Sequence, residues 1–285
     1  MDNTGTMSET PPPSTGDTPA HLTSGYWQDL TTTDFARIDP GRTIALLPVS
    51  ACEQHGPHLP LSTDATINAG IVSAMLGDLS PRTCVLVLPA QTIGDSIEHQ
   101  GFAGTLSLDF DVLVQSWVTI GAAVARAGIR KMVIFNTHGG QRGHVDQAAI
   151  RLRAHHRLMV ARANSGQFGK PDDLFDDNER SFGLHGGAVE TSMMLSLRPD
   201  LVRCDQLARF ESIGQTMRAD YRVLGVEKPV GFGWMAQDLN PAGVCGDARL
   251  ASAQAGARLI AHLAHGLTTL CDELADAPYE RFVTR

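Results

Sequence analysis

Four side chains of metal-binding types stand at spacings that could form one site. Glu53 and His55 are two residues apart, Asp64 follows nine residues after His55, and His138 lies further along the chain. In an extended segment, residues two apart point to the same side, so Glu53 and His55 would face a common point. A mixture of carboxylates and imidazoles suits Zn, Mn or Fe better than Mg or Ca. A carboxylate such as Asp64 can bridge two ions, and a pair of ions roughly 3.5–4 Å apart can activate water. The pattern therefore predicts a site for two divalent transition metal ions, namely Zn, Mn or Fe.

Each of the four residues also has an ordinary structural explanation. Glu53 and His55 could form a hydrogen-bonded loop pair, and His138 could pack at the end of a strand. Asp64 could cap a helix, which is the commoner role of an isolated Asp before a helix. Four such groups at the same end of one sheet are difficult to assign to packing, and together they favour the metal site.

The elements that must position these residues are short apolar strands that alternate with amphipathic helices. Strands are predicted over residues 43–49, 84–90, 131–136 and 158–163. Helices are predicted over residues 64–79, 109–127, 143–155, 187–197 and 251–274, and Asp247 is a candidate cap for the last one. Residues 205–241 show no clean period and predict an irregular excursion over the site. The alternation is typical of parallel βαβ units, so the predicted fold class is α/β, a three-layer α/β/α domain with a mainly parallel sheet.

Polar loops follow the predicted strands, where an open parallel sheet places its ligand crevice. Glu53 and His55 follow the first strand and His138 follows the third. The loop after the second strand carries Asp95, Glu98 and His99, of which Glu98 is our candidate for contact with substrate. A solvated loop would explain these three residues nearly as well.

Composition narrows the partners and the compartment. The chain has 285 residues, a net charge of -8 and no cluster of basic residues, which argues against nucleic acid or an anionic membrane and favours a small-molecule substrate. The five cysteines are scattered without a C-x-x-C pair, which is typical of a reducing, cytoplasmic protein. Residues 1–24 predict a disordered tail, and residues 25–285 predict a single catalytic domain. We see no apolar stretch that could span a membrane.

Three motifs resemble the creatininase (creatinine amidohydrolase) family. They are Glu-Gln-His-Gly-Pro-His-Leu-Pro at 53–60 with Asp64, Asn-Thr-His-Gly-Gly-Gln at 136–141, and His185 with Glu-Thr-Ser at 190–192. The resemblance implies a creatininase-like fold and commonly a homo-oligomer, a hexamer. It also implies that Glu53, His55, Asp64 and His138 bind two metals with the Asp bridging, and that His185 moves a proton.

One departure from the family pattern concerns Gly139 and Gly140. Members that hydrolyse creatinine have an aromatic residue and a metal-binding Glu at these positions, so one ligand remains open here. Glu190 is the first candidate, and a salt bridge on a helix face is an equal alternative. The two glycines could instead bring backbone N–H groups close to a substrate oxygen, so we count them with Glu98 as candidate substrate contacts. His185 and Glu190 are the candidate catalytic residues.

The resemblance and the residues predict a dinuclear metal-dependent amidohydrolase. It would cleave a C–N bond in a cyclic or linear non-peptide amide with a metal-activated water. Other activities of the family are alternatives: deformylation of a pyrimidine intermediate, opening of a keto-inositol ring, or a peptidase step in the maturation of a cofactor. A rival from another class is a nucleotide-binding α/β module with residues 139–143 as an anion-binding loop. The loop after the first strand lacks the G-x-G-x-x-G of such a module and argues against it.

Overall fold

The computed structural model describes residues 22–284. The strands are β1 (Gly25–Tyr26), β2 (Thr43–Val49), β3 (Cys84–Val87), β4 (Lys131–Asn136), β5 (Met159–Asn164), β6 (Arg209–Phe210) and β7 (Gly246–Asp247). The helices are α1 (Thr63–Asp78), α2 (Phe110–Arg126), α3 (Arg142–His156), α4 (Asp177–Phe182), α5 (Ala188–Leu197), α6 (Gly214–Asp220), α7 (Ala236–Leu239), α8 (Ala253–Asp276) and α9 (Tyr279–Phe282).

The main sheet is parallel and has the strand order β1-β3-β2-β4-β5. The predicted strands 43–49 and 131–136 match β2 and β4, which are adjacent and pair from Ile44 with Lys131 to Val49 with Asn136. Both strands are buried along their whole length, which is why an apolar run marked them clearly. The loops that follow β2, β3 and β4 consequently leave the sheet at one edge.

Alternate side chains of the sheet pack into two separate cores, which confirms the three-layer α/β/α fold. On one face Leu46 and Phe135 pack with residues of α1, α5 and α8, including Ile71 and Leu263. On the other face, Leu47 and its neighbours pack with α2 and α3. A parallel strand covered on both sides in this way must be apolar at every position.

Several boundaries differ from the prediction for identifiable reasons. β3 ends at Val87 rather than at residue 90, and Pro89 lacks the N–H that a ladder bond requires. The expected cap of the last helix was wrong. Asp247 caps a short 3-10 turn, Ala248–Leu250, and the Ser252 hydroxyl caps α8 by accepting from the Ala255 N–H at 3.2 Å.

Residues 205–241 are largely irregular, as predicted; they contain β6, α6 and α7 and the end of a short 3-10 turn, Cys204–Gln206. Most of the predicted tail, residues 1–21, lies outside the described residues. From there, Leu22 is buried in the core, and the Ser24 hydroxyl donates to Thr83 O and accepts from the Val85 N–H. None of the described helices has the length and apolar character needed to cross a membrane.

Candidate metal centre

The structure brings the four predicted metal ligands together at one edge of the sheet. Glu53 and His55 lie in the loop after β2, Asp64 lies in the first turn of α1, and His138 follows β4; each is at most 3% exposed. Glu53 Oε1 is 3.1 Å from His138 Nδ1. The two oxygens of Asp64 divide between the histidines, with Oδ1 3.3 Å from His55 Nε2 and Oδ2 3.4 Å from His138 Nδ1. Asp64 is therefore the shared member of the cluster.

Asp64 does not act as a helix cap. Ser62 occupies the N-cap position of α1, and no side chain makes a capping hydrogen bond there. The carboxylate of Asp64 instead turns inward, and its Oδ2 is buried without a hydrogen-bond partner. The alternative explanation of this residue as a cap consequently loses its basis.

Backbone carbonyls determine how the two histidines are oriented. His55 Nδ1 is 3.0 Å from Glu53 O and His138 Nε2 is 2.9 Å from Asp95 O, and each nitrogen must donate because a carbonyl only accepts. In a neutral imidazole the other nitrogen then directs a lone pair at the carboxylates. His55 Nε2 and Glu53 Oε2 are also buried without a partner. Lone pairs facing carboxylate oxygens repel unless a cation or protons lie between them, so these residues fit a metal site.

The same proximity shifts the pKa values of the metal-free protein. Burial lowers the pKa of His55, but the neighbouring Asp64 carboxylate outweighs it and raises that pKa to about 9. Burial likewise opposes the charged form of His138, whose pKa the Glu53 charge raises well above its usual value. For Glu53, burial raises the pKa, and the charge of His138 more than offsets it and brings the pKa well below its usual value. The carboxylates thus favour the positively charged forms of both histidines.

His185 and Glu190 join the cluster from the other side. His185 Nε2 donates to Gln54 O at 2.7 Å, and its Nδ1 is 3.8 Å from Glu53 Oε1. Glu190, in the first turn of α5, has Oε2 3.8 Å from His55 Nε2. Three overlapping groups have ligand atoms all within 4.8 Å of one another: Glu53, Asp64 and His138; His55, Asp64 and Glu190; Glu53, His55 and His185.

Glu98 and the two glycines lie beside this cluster. Glu98 Oε1 is 3.6 Å from His138 Nε2, and burial raises the pKa of Glu98. Gly139 and Gly140 are exposed and form a 3-10 turn with Gln141. A Cβ atom at position 140 would collide with the Glu98 carboxylate and would lie 2.7 Å from His138 Nε2. Gly140 thus leaves the space that the Glu98 side chain fills.

Sequence reasoning placed His99 on the rim of the crevice and did not select it. The structure buries His99, with Nε2 3.5 Å from Glu53 Oε1 and its ring centroid 4.4 Å from that of His185. Burial lowers the pKa of His99, and so does the charge of His185, to about 3. The feature of the sequence that could have identified His99 is its position directly after Glu98, in the loop that follows β3.

Side-chain amides hold the loop that carries His138. Asn136 Oδ1 accepts from the His138 N–H at 3.0 Å and from Gln141 Nε2 at 2.8 Å. Behind them, His144 Nε2 is 2.9 Å from an oxygen of Asp95, the residue whose carbonyl accepts from His138. These contacts restrict the direction of the His138 imidazole.

The fold and the cluster define an α/β/α protein with a candidate metal centre at the carboxyl ends of its strands. The family model described as "Creatininase: Creatinine amidohydrolase" matches residues 28–271, which is most of the chain. The chain therefore belongs to the creatininase family. This assignment favours an enzyme over a nucleotide-binding module.

Relatives and solved structures agree with the family assignment. The mycofactocin precursor peptide peptidase of Mycolicibacterium smegmatis is 32% identical over 231 residues, which cover 78% of this chain and 82% of the relative. The protein of that name from Mycobacterium tuberculosis is 33% identical over 167 residues, and the match covers 56% of this chain and only 61% of the relative's length. A solved mutant creatininase of the Zn-Zn type has the same fold, with a TM-score of 0.71, 24% identity, and coverage of 90% of this chain and 100% of that one.

Proposed function

We propose that this protein is a dinuclear metal-dependent amidohydrolase that cleaves a C–N bond in a cyclic or linear non-peptide amide. The observation that carries the proposal is the set of buried, unpaired ligand atoms at the strand ends, among them His55 Nε2, Glu53 Oε2 and Asp64 Oδ2. An unpaired buried polar atom costs roughly 1–3 kcal/mol, so three in one cluster indicate a missing partner. Carboxylate and imidazole donors favour Zn, Mn or Fe as that partner.

The ligand geometry divides into two sets that share Asp64. One set comprises Glu53, Asp64 and His138, and the other comprises His55, Asp64 and Glu190. This division supports Asp64 as the bridging carboxylate. It also supports Glu190 as the ligand that replaces the missing Glu at position 140, since Glu190 approaches His55 while no carboxylate can be supplied by Gly140.

When bound, the two ions would polarise the substrate carbonyl and lower the pKa of a water molecule. The protein's own contribution to the proton transfers is His185. Its Nε2 is committed to Gln54 O, so its Nδ1 is the nitrogen that can accept a proton at the cluster and deliver it to the leaving nitrogen. The ring also contacts the His55 ring, tilted by 39° at a centroid distance of 4.2 Å, which restricts its position.

Substrate contacts are assigned to Glu98, Gly139 and Gly140. The Glu98 side chain is 14% exposed and lies beside the two glycines, whose exposed backbone can approach a ligand closely. The oxygens of Glu98 can accept a hydrogen bond from a substrate N–H, and the backbone N–H groups of the glycines can donate to a substrate carbonyl. This suits recognition of an amide, which offers both an N–H and a carbonyl.

Hydrolysis of a peptide amide is a second candidate, because two relatives named as mycofactocin precursor peptide peptidases are about one third identical. A cavity of about 370 Å³ next to the Glu53 loop would have room for a side chain of a peptide. Its lining consists of the polar Gln54 and of small or apolar residues, namely Gly56, Pro57, Leu61, Phe102, Ala103 and Ala242.

The test uses metal-stripped full-length protein reloaded with Zn, Mn or Fe. We expect about two ions per chain, and hydrolysis of at least one compound in a panel of cyclic amides, linear amides and short peptides. Absence of tight metal binding after supplementation would overturn the proposal. Turnover of peptides alone would replace the non-peptide substrate class with the second candidate.

We also propose that the protein is cytoplasmic and that it forms a homo-oligomer, a hexamer by family resemblance. Four large apolar side chains close together in the chain are exposed and could be covered by another copy: Leu106, Leu108, Phe110 and Val112. Light scattering on the purified protein measures the number of copies.

A further inference from the structure

The side-chain amide of Gln54 has an orientation that two backbone groups determine. The Gly56 N–H is 3.0 Å from Gln54 Oε1, so Oε1 accepts. Gly243 O is 2.6 Å from Gln54 Nε2, so Nε2 donates. The reversed amide would place N–H against N–H and carbonyl against carbonyl.

This orientation selects the tautomer of His99. The second proton of Gln54 Nε2 points at His99 Nδ1, which is 2.8 Å away and must therefore accept. A neutral imidazole that accepts at Nδ1 carries its proton on Nε2. His99 Nε2 is the atom that lies 3.5 Å from Glu53 Oε1.

Three imidazole nitrogens approach Glu53 Oε1, and they differ in what they present. His138 Nδ1 at 3.1 Å and His185 Nδ1 at 3.8 Å belong to rings that donate through their other nitrogen to a backbone carbonyl. Those rings, when neutral, present lone pairs. Of the three, His99 is the ring that presents an N–H to the carboxylate.

We propose that His99, in the tautomer imposed by Gln54, is a positioning residue that directs the carboxylate of Glu53. Its N–H occupies the Oε1 side and leaves the unpartnered Oε2 available as a metal ligand. His99 Nε2 is 3.5 Å from Glu53 Oε1, which is longer than a standard hydrogen bond. The contact orients the carboxylate because a donor faces an acceptor. This inference rests on the proposed metal-binding function and adds a requirement for one tautomer.

The first experiment removes the donor with His99→Leu and restores one with His99→Gln. Zn and Co affinities are measured on metal-stripped full-length protein, and the visible absorption of the Co form reports its coordination. We expect His99→Leu to weaken metal binding about 10–100-fold and to change the Co spectrum, because it removes a group that contacts the metal ligand Glu53. His99→Gln should recover most of both properties. His155→Leu, at an exposed helix position, is the matched control and should bind like the wild type.

The second experiment reverses the tautomer with Gln54→Glu. A carboxylate can only accept, so His99 must carry a proton on Nδ1, and the neutral ring then turns a lone pair toward Glu53. The added negative charge alone would strengthen cation binding, whereas the reversed tautomer predicts weaker binding. Nitrogen NMR of labelled histidines should show the proton on Nδ1 in this variant and on Nε2 in the wild type.

The outcomes separate the two proposals. If the wild type itself binds neither Zn nor Co tightly, the proposed function fails. If the wild type binds them and a folded His99→Leu variant has the same affinity and spectrum, only the positioning role is refuted. A His99→Gln variant as impaired as His99→Leu would also refute it. Should His99→Leu not fold, unchanged or stronger metal binding by a Gln54→Glu variant whose His99 carries its proton on Nδ1 alone would overturn the inference.

Discussion

Asp64→Asn is the change that most directly separates a bridging ligand from a structural residue. The amide keeps the size of the carboxylate and could still cap a helix, but it loses the charge that faces both His55 and His138. Loss of a helix cap would cost about 1 kcal/mol whether or not metal is present. Loss of a bridging ligand acts only through the metal. The dependence of stability on added metal is therefore the quantity to measure.

The expected size follows from linkage between binding and folding. With ions at about 100 times the wild-type Kd, each bound ion adds about 2.7 kcal/mol to the free energy of unfolding. Loss of a contact outside the ligand shell weakens metal binding by up to about 100-fold, and loss of a ligand should weaken it at least as much. The gain in the free energy of unfolding then falls to about 0.4 kcal/mol. Each kcal/mol shifts Tm by about 2–4 °C in a domain of this size. Each bound ion should thus raise Tm by about 5–10 °C in the wild type and by about 1 °C in the variant.

Thermal unfolding of metal-stripped protein with and without added Zn provides the assay. Asp78→Asn is the matched control, since Asp78 is exposed at the other end of the same helix, α1. It should respond to metal like the wild type. If Asp64→Asn kept the full metal-dependent rise in Tm and wild-type turnover, Asp64 would not bridge two ions.

Three further predictions concern protons and substrate. Metal affinity should rise with pH up to about 9. The Asp64 carboxylate raises the His55 pKa to about 9 against burial, and below that pH an ion must displace a proton from His55. Zn titrations from pH 6 to 9 check this, and an affinity independent of pH would exclude His55 as a ligand. His185→Gln should lower kcat about 10²–10⁴-fold with both metals retained; loss of an ion by elemental analysis would make His185 a ligand. Creatinine should be a poor substrate because Gly139 and Gly140 supply neither an aromatic wall nor a Glu, and a kcat/KM of about 10⁴ M⁻¹s⁻¹ or more would contradict this.

Local patterns in the chain were sufficient to locate the strands and the loops that follow them. β2 and β4 are buried on both faces, so unbroken apolar runs mark their full length. The strand-end rule then placed Glu53, His55 and His138 at one edge. Short strands such as β1 and β6, two residues each, carry no period and could not be identified.

The partners of each site residue were decided by tertiary contacts. Whether Asp64 capped a helix or faced two histidines could not be known from its neighbours in the chain, because both roles use the same residue at a helix start. The space that Gly140 leaves for Glu98 arises between loops about forty residues apart in the chain. The tautomer of His99 depends on Gln54, whose own orientation depends on Gly243 O. The sequence by itself therefore determined which chemical groups reach the sheet edge, since that follows from local periodicity. Only the folded structure decided which atoms donate, accept or remain unpaired, since that depends on distances between segments remote in the chain.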